Sequence, residues 1–112
     1  MQAPLGEFEV VVLLAVLHLG HHANGSAVRD DIERRIGRRV SRGSVYVTLD
    51  RLEEKGLLAS RLIDAPTVRG GAKRLFRATA PGLKAVKHAI ETVERMRKGL
   101  EPILGIPAIG IP

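Results

Sequence analysis

The segment from Ser41 to Leu58 constrains this chain more than any other stretch. Ser41 is placed to cap a helix running to Lys55, and Gly56 is placed to stop it in the left-handed conformation. Within that helix Val45, Leu49 and Leu52 share one face, while Gly43, Ser44, Tyr46, Val47, Asp50 and Arg51 share the other. An outward face of small, polar and aromatic side chains suits a helix laid in a DNA groove. Small residues at its start allow close approach, and Tyr46 and Arg51 can reach phosphates or bases. Taken alone, the pattern also fits an ordinary amphipathic helix with a solvated face. What surrounds the helix separates the two readings.

The chain has 112 residues, enough for one domain with a modest core. It contains no cysteine, which excludes a disulfide framework, a thiol nucleophile and a cysteine zinc site. The start, Met1 to Glu7, has no positively charged leader, so a signal peptide is not expected. The apolar run Val10 to Leu17 falls far short of the ~20 residues of a membrane span and reads as a buried helix. A cytoplasmic protein without a membrane partner is expected.

The net charge of +6 is unevenly distributed. Between Arg29 and Arg77 there are 13 Lys or Arg against 7 Asp or Glu, and the rest of the chain is balanced. A basic field concentrated on the middle of the chain attracts polyanions, with nucleic acid ahead of an anionic membrane surface.

The pattern predicts a first helix over Glu7 to Leu19, apolar on nearly every side, which implies a partner subunit to help bury it. After the turn Asn24-Gly25-Ser26, a second helix from Ala27 to Ile36 turns Val28, Ile32 and Ile36 inward, with Arg29, Asp30, Glu33, Arg34 and Arg35 outward. The short connector Gly37 to Val40 places helices two and three together as a helix-turn-helix. Leu57 to Ile63 and Lys73 to Ala78 read as strands joined by a Pro- and Gly-containing loop. The hairpin is flanked by Arg61, Arg69, Lys73, Arg74 and Arg77.

Thr79-Ala80-Pro81 reads as the start of a last helix, which Pro102 should end. Along it Leu83, Val86, Ile90, Val93, position 97 and Leu100 alternate spacings of three and four, a coiled-coil seam broken by Arg97. The expected architecture is mainly α with a small β-hairpin, an α+β winged helix-turn-helix with a C-terminal dimerisation helix. It divides into a DNA-binding domain over 1–79, the dimerisation helix over 80–101 and an apolar Gly/Pro tail over 102–112.

With the hairpin in place, the chain resembles the PadR family of bacterial transcriptional regulators from about Leu5 to Leu100. Three stretches carry the resemblance. One is Ser44-Val45-Tyr46 with Leu49 and Arg51-Leu52-Glu53-Glu54-Lys55-Gly56-Leu57. The second is Gly70-Gly71-Ala72-Lys73-Arg74-Leu75-Phe76-Arg77-Ala78-Thr79, and the third is Thr79-Ala80-Pro81-Gly82. The resemblance implies a homodimer that binds double-stranded DNA at a near-palindromic operator, usually as a repressor. It implies helix three in the major groove, the wing on the backbone or minor groove, and the C-terminal helix against the partner's N-terminal helix. The DNA contacts it implies are Ser41, Arg42, Ser44, Tyr46 and Arg51, with Arg69, Lys73 and Arg74 from the wing. The interface it implies takes in Val12, Val16, Leu83, Val86, Ile90, Val93 and Leu100. Arg74 is expected on phosphate, and Arg42 or Tyr46 on bases.

There are departures from the family pattern. Asp50 lies on the exposed face, where it suits a base amino group or an ion pair with Arg51 or Arg42. Leu75 stands where many relatives carry an aromatic residue, and there is no Trp to hold a planar aromatic effector. The identity of any small-molecule effector stays open, and no cofactor is implied.

Two other readings compete. A winged helix that binds a protein and no DNA is kept alive by Asp50, Glu53 and Glu54. A metal-responsive regulator would use His18, His21 and His22, although Gly20 interrupts them. An enzyme finds no support: there is no Gly-x-Ser-x-Gly turn and no phosphate-cradling Gly-rich loop.

Overall fold

The computed structural model describes residues 4–108. The elements, in chain order, are α1 (Glu7–Leu19), a short 3-10 turn (Gly20–His22), α2 (Gly25–Ile36), α3 (Arg42–Glu54), β1 (Leu58–Asp64), β2 (Ala72–Ala78), α4 (Ala80–Arg97) and α5 (Glu101–Leu104). No helix among the described residues is long and apolar enough to cross a membrane.

Helix α1 is the central post, in contact with α2, α3, β2 and α4. Its apolar residues are therefore mostly used within one chain. Val12 and Val16, expected against a partner subunit, lie in the chain's own core at 0% and 2% exposure. The reason is geometric: four elements pack round a helix of only 13 residues. Leu17, near its end, remains 40% exposed.

Helix α2 begins two residues earlier than expected, because Asn24 is its cap: Asn24 Oδ1 accepts the Ala27 N–H at 2.9 Å. Val28 and Ile32 are buried as expected, but Ile36 is not, at 42% exposure. It is the last helical residue before the left-handed Gly37 and overruns the edge of the core. Asp31 is buried instead, its carboxylate held by Arg34 at 2.7 Å and Arg35 at 2.9 Å.

Helix α3 starts at the Ser41 cap, whose Oγ accepts the Ser44 N–H at 2.9 Å. Val45, Leu49 and Leu52 sit in the core with Thr48 beside them. Lys55 closes the helix, and Gly56 takes φ 75°, a value costly for any side chain. The chain then enters an antiparallel hairpin with Leu58 opposite Ala78 and Asp64 opposite Ala72. Strand β2 has a second neighbour. The Phe76 N–H donates to the Ala23 carbonyl at 2.9 Å, and Asn24 bridges Leu75. This single rung carries no period for sequence reading to detect, yet it fastens the hairpin to the front of α2.

Thr79 joins hairpin to α4. Its hydroxyl donates to the Gly56 carbonyl at 2.7 Å and accepts the Gly82 N–H at 3.1 Å, while its own N–H donates to the Leu57 carbonyl at 3.1 Å. Gly82 is required there, because a Cβ would stand 2.0 Å from the Leu57 carbonyl oxygen. Val86 is the seam residue that enters the core.

The expectation that α4 runs to Pro102 is corrected. The helix ends at Arg97, Lys98 leaves it, and Gly99 turns the chain at φ 90°. Pro102 sits in the first turn of α5, where a missing N–H costs nothing. Leu100 thus lies beyond the long helix whose seam it was expected to continue. The tail folds back, with Arg97 donating to the Pro107 carbonyl at 3.4 Å. The part of the expected tail beyond residue 108 lies outside the described residues.

Candidate nucleic-acid interface

Helix α3 buries one face and presents the other. Ser41, Arg42, Gly43, Ser44, Val47, Asp50, Arg51 and Glu54 are all exposed. Arg69 on the hairpin tip is exposed too, with Arg61 and Arg77 on its strands, and Lys73 is half-buried. The structure thus brings most of the sequence-implied contacts onto one helix face and its adjoining hairpin. Ser41 and Ser44 are coupled, the Ser41 hydroxyl donating to Ser44 Oγ at 2.9 Å.

Tyr46 is placed differently from a free probe. Its ring is half-buried and covers the first turn of α2. A Cβ on Gly25 would lie 2.4 Å from the Tyr46 Cζ, so any other residue there would displace the ring. The Arg42 guanidinium stacks over the same ring, 5.3 Å from its centroid. Tyr46 therefore fixes the crossing of α2 and α3 and holds Arg42 at the start of the exposed face. Sequence reading places Gly25 in a turn; its close contact with residue 46 depends on a packing angle that spacing does not reveal.

Arg74 departs most from expectation. Instead of pointing free from the wing, it is shared among three partners. It pairs with Asp50 Oδ1 at 2.8 Å and with the Glu53 carboxylate, and donates to Ser60 Oγ at 3.0 Å. Ser60 in turn donates to Glu53 Oε2 at 2.7 Å. The guanidinium also lies 4.6 Å from the centroid of the Phe76 ring. Three elements, α3, β1 and β2, meet at this one cation. The hydrogen bond from Ser60 does most to hold the Glu53 carboxyl below its ordinary pKa; burial opposes it and Arg74 adds to it. Desolvation works against the Arg74 charge, but the two carboxylates outweigh it and raise its pKa. Asp50 thus finds its ion pair, with Arg74 and not with Arg42 or Arg51. Glu53 and Ser60 are members of the junction that sequence reading missed. The visible signal was the three-residue spacing of Asp50 and Glu53, which puts both on the side facing the hairpin.

A second ion pair anchors the same C-terminal end of α3 to α1. Lys55 Nζ meets Glu9 Oε2 at 2.7 Å, while Glu9 Oε1 accepts the Gly6 N–H at 3.0 Å. Burial pushes the Glu9 pKa up, but Lys55 and the Gly6 N–H together bring it below the ordinary value.

His18, His21 and His22 are exposed at the end of α1 and on the following turn. No group of three or more His, Cys, Asp or Glu among the described residues is arranged to hold a metal ion. A cleft of about 460 Å³ lies beside the start of α3, lined by Arg38, Arg39, Ser41 and Ser44 with Phe8 and Ile36. Its basic and hydroxyl groups extend the cationic surface and hold no acid–base pair.

An apolar three-helix core, a capped helix with a polar outer face and an antiparallel hairpin locked beside it define a winged helix-turn-helix protein of the DNA-binding type. The model of the PadR-like transcriptional regulator family matches residues 13–88. The transcriptional regulator Rv3488 of Mycobacterium tuberculosis is 37% identical over 87 residues, covering 73% of this chain and 78% of the relative. A PadR family regulator from Eggerthella lenta superposes with a TM-score of 0.67 at 23% identity, covering 88% of this chain and 86% of that one. F93 from STIV, a winged-helix DNA-binding protein, gives 0.60 at 21% identity over 80% of this chain and 90% of that one. The chain belongs to the PadR-like family and is a transcriptional regulator, not an enzyme.

Proposed function

We propose that the chain acts in the cytoplasm as a homodimeric repressor that reads a near-palindromic operator in double-stranded DNA. The observation that carries this is the joining of α3 to the wing through Arg74. It makes the exposed helix face and the basic hairpin one rigid surface, as simultaneous contact with a groove and its flanking backbone requires. Ser41, Arg42, Ser44, Arg51, Arg69 and Lys73 are the proposed direct contacts. Tyr46 and Arg74 serve the same surface from behind, the first by setting the angle of α3 and the second by fixing the wing.

The proposed dimer uses the outer side of α4. Leu83, Ile90 and Val93 are 49%, 42% and 62% exposed, and Met96 continues the strip at 76%. Leu100 joins from beyond the helix end, while Val12, Val16 and Val86 support the interface from within the core. A small-molecule effector of unidentified chemistry remains part of the proposal; with Phe76 buried and no Trp, a flat aromatic ligand has little to stack on.

The protein-binding alternative loses ground at Asp50 and Glu53, since both carboxylates are paired with Arg74. The metal-responsive alternative has no ligand cluster among the described residues to support it. The test is fluorescence-anisotropy titration of the DNA upstream of the protein's own gene against scrambled DNA. Tight selective binding supports the operator reading; equal, weak binding to both counts against it.

A further inference from the structure

Val47 occupies the middle of the exposed face of α3, and nothing inside the chain accounts for it. It is 55% exposed. Its neighbours one turn away are Gly43, Ser44, Asp50 and Arg51, all exposed and none of them a large apolar group. A branched side chain is a poor choice for an exposed helical position, where Ala, Lys or Glu is preferred. An isolated valine offers too little apolar area for a protein partner.

Gly43, one turn earlier, is unexplained by the fold in the same way. Its φ is not positive, and a Cβ there would meet only Ser41 Oγ, at 3.9 Å. Gly25 and Gly82 are different, since each is crowded by a neighbour inside the chain. Glycine at 43 weakens the helix with no internal gain. Its effect is external: with no side chain there, a surface facing α3 comes closer to the helix axis beside Val47.

Among the groups that base edges present in the major groove, the one apolar feature is the C5 methyl of thymine. We infer that Val47 selects thymine at one position of each operator half-site by packing against that methyl group, with Gly43 allowing the approach. The inference rests on the proposed operator reading and goes beyond it by naming a base and the side chain that reads it.

Deoxyuridine isolates the contact, because it differs from thymidine only by the methyl and keeps the same hydrogen-bonding edge. The full chain is first used to select preferred duplexes from a random library. Each thymine of the selected site is then replaced by deoxyuridine and binding is measured by anisotropy. At one thymine per half-site the substitution should weaken the parent about fourfold, the value of one buried carbon. Val47→Ala should bind both duplexes equally at that position and respond like the parent at every other. Its circular dichroism should match the parent and its melting should be equal or slightly higher, since the side chain is exposed and alanine is the better helix former. The inference is overturned if no thymine is sensitive, or if the sensitive one stays sensitive in Val47→Ala. A library that yields no preferred duplex overturns the operator reading itself.

Discussion

Alanine at position 74 removes the shared partner of Asp50, Glu53 and Ser60 in one step. Glu53 is then left partly buried without its cation, and a loss of about 2 kcal/mol in unfolding free energy is expected in denaturant titration. DNA binding should weaken as well, and Arg74→Lys, which keeps the charge but cannot span the three partners, should weaken it nearly as much, because the wing is misplaced in both. Full affinity in Arg74→Lys would instead put Arg74 on a phosphate as a simple positive charge. Gly82→Ala tests a different kind of constraint. Its Cβ would meet backbone, which cannot swing away, so destabilisation of about 3 kcal/mol or more is expected in denaturant titration. Gly25→Ala meets the far end of the Tyr46 ring, which can move. It should cost less stability than Gly82→Ala while loosening the Arg42–Tyr46 stack.

Elements bounded by strong local chemistry were legible from sequence. The Ser41 cap, the Gly56 stop, the two strands and the Thr79 cap fall where side-chain type and spacing place them. Other ends depended on competition between signals. Pro102 was a plausible terminator of α4, but Gly99 comes first and takes the left-handed turn. What sequence hid was contact across elements: the Phe76–Ala23 rung, the Tyr46–Gly25 fit and the three partners of Arg74. Each joins residues at least 14 positions apart, beyond the reach of helical or strand periodicity. The two paired carboxylates at the C-terminal end of α3 also set an acid sensitivity. Glu9 and Glu53 both have pKa values below the ordinary 4.5. Their contribution is complete above that value and drains away as pH falls through the lowered folded-state values. Glu9→Gln should therefore melt at a lower temperature than the parent at neutral pH, and the gap should close as pH falls below 4.5. A gap that stayed constant with pH would exclude the Lys55 pair as its cause.

For the whole molecule, the uneven use of apolar surface is informative. One chain buries Val12, Leu13, Ala15 and Val16 of α1 in its own core, yet leaves Leu83, Ile90, Val93 and Met96 along the outside of α4. Positions inside the core and positions on this strip therefore separate folding from assembly. Ile90→Glu combined with Val93→Glu should leave the melting of a monomer intact while shifting sedimentation from dimer to monomer. The same pair should weaken DNA binding, because two half-sites are no longer bound together. A parent that sediments as a monomer at micromolar concentration would remove the dimer from the account.

In the proposed function the α3 face and the wing together form one DNA-reading surface. The most direct measurement is anisotropy of the full chain on library-selected duplex against scrambled duplex, from low to physiological salt and beyond. Binding to the selected duplex should be at least about a thousandfold tighter than to scrambled DNA, with affinity falling steeply as salt rises. Equal affinity for both duplexes, or affinity indifferent to salt, would contradict it.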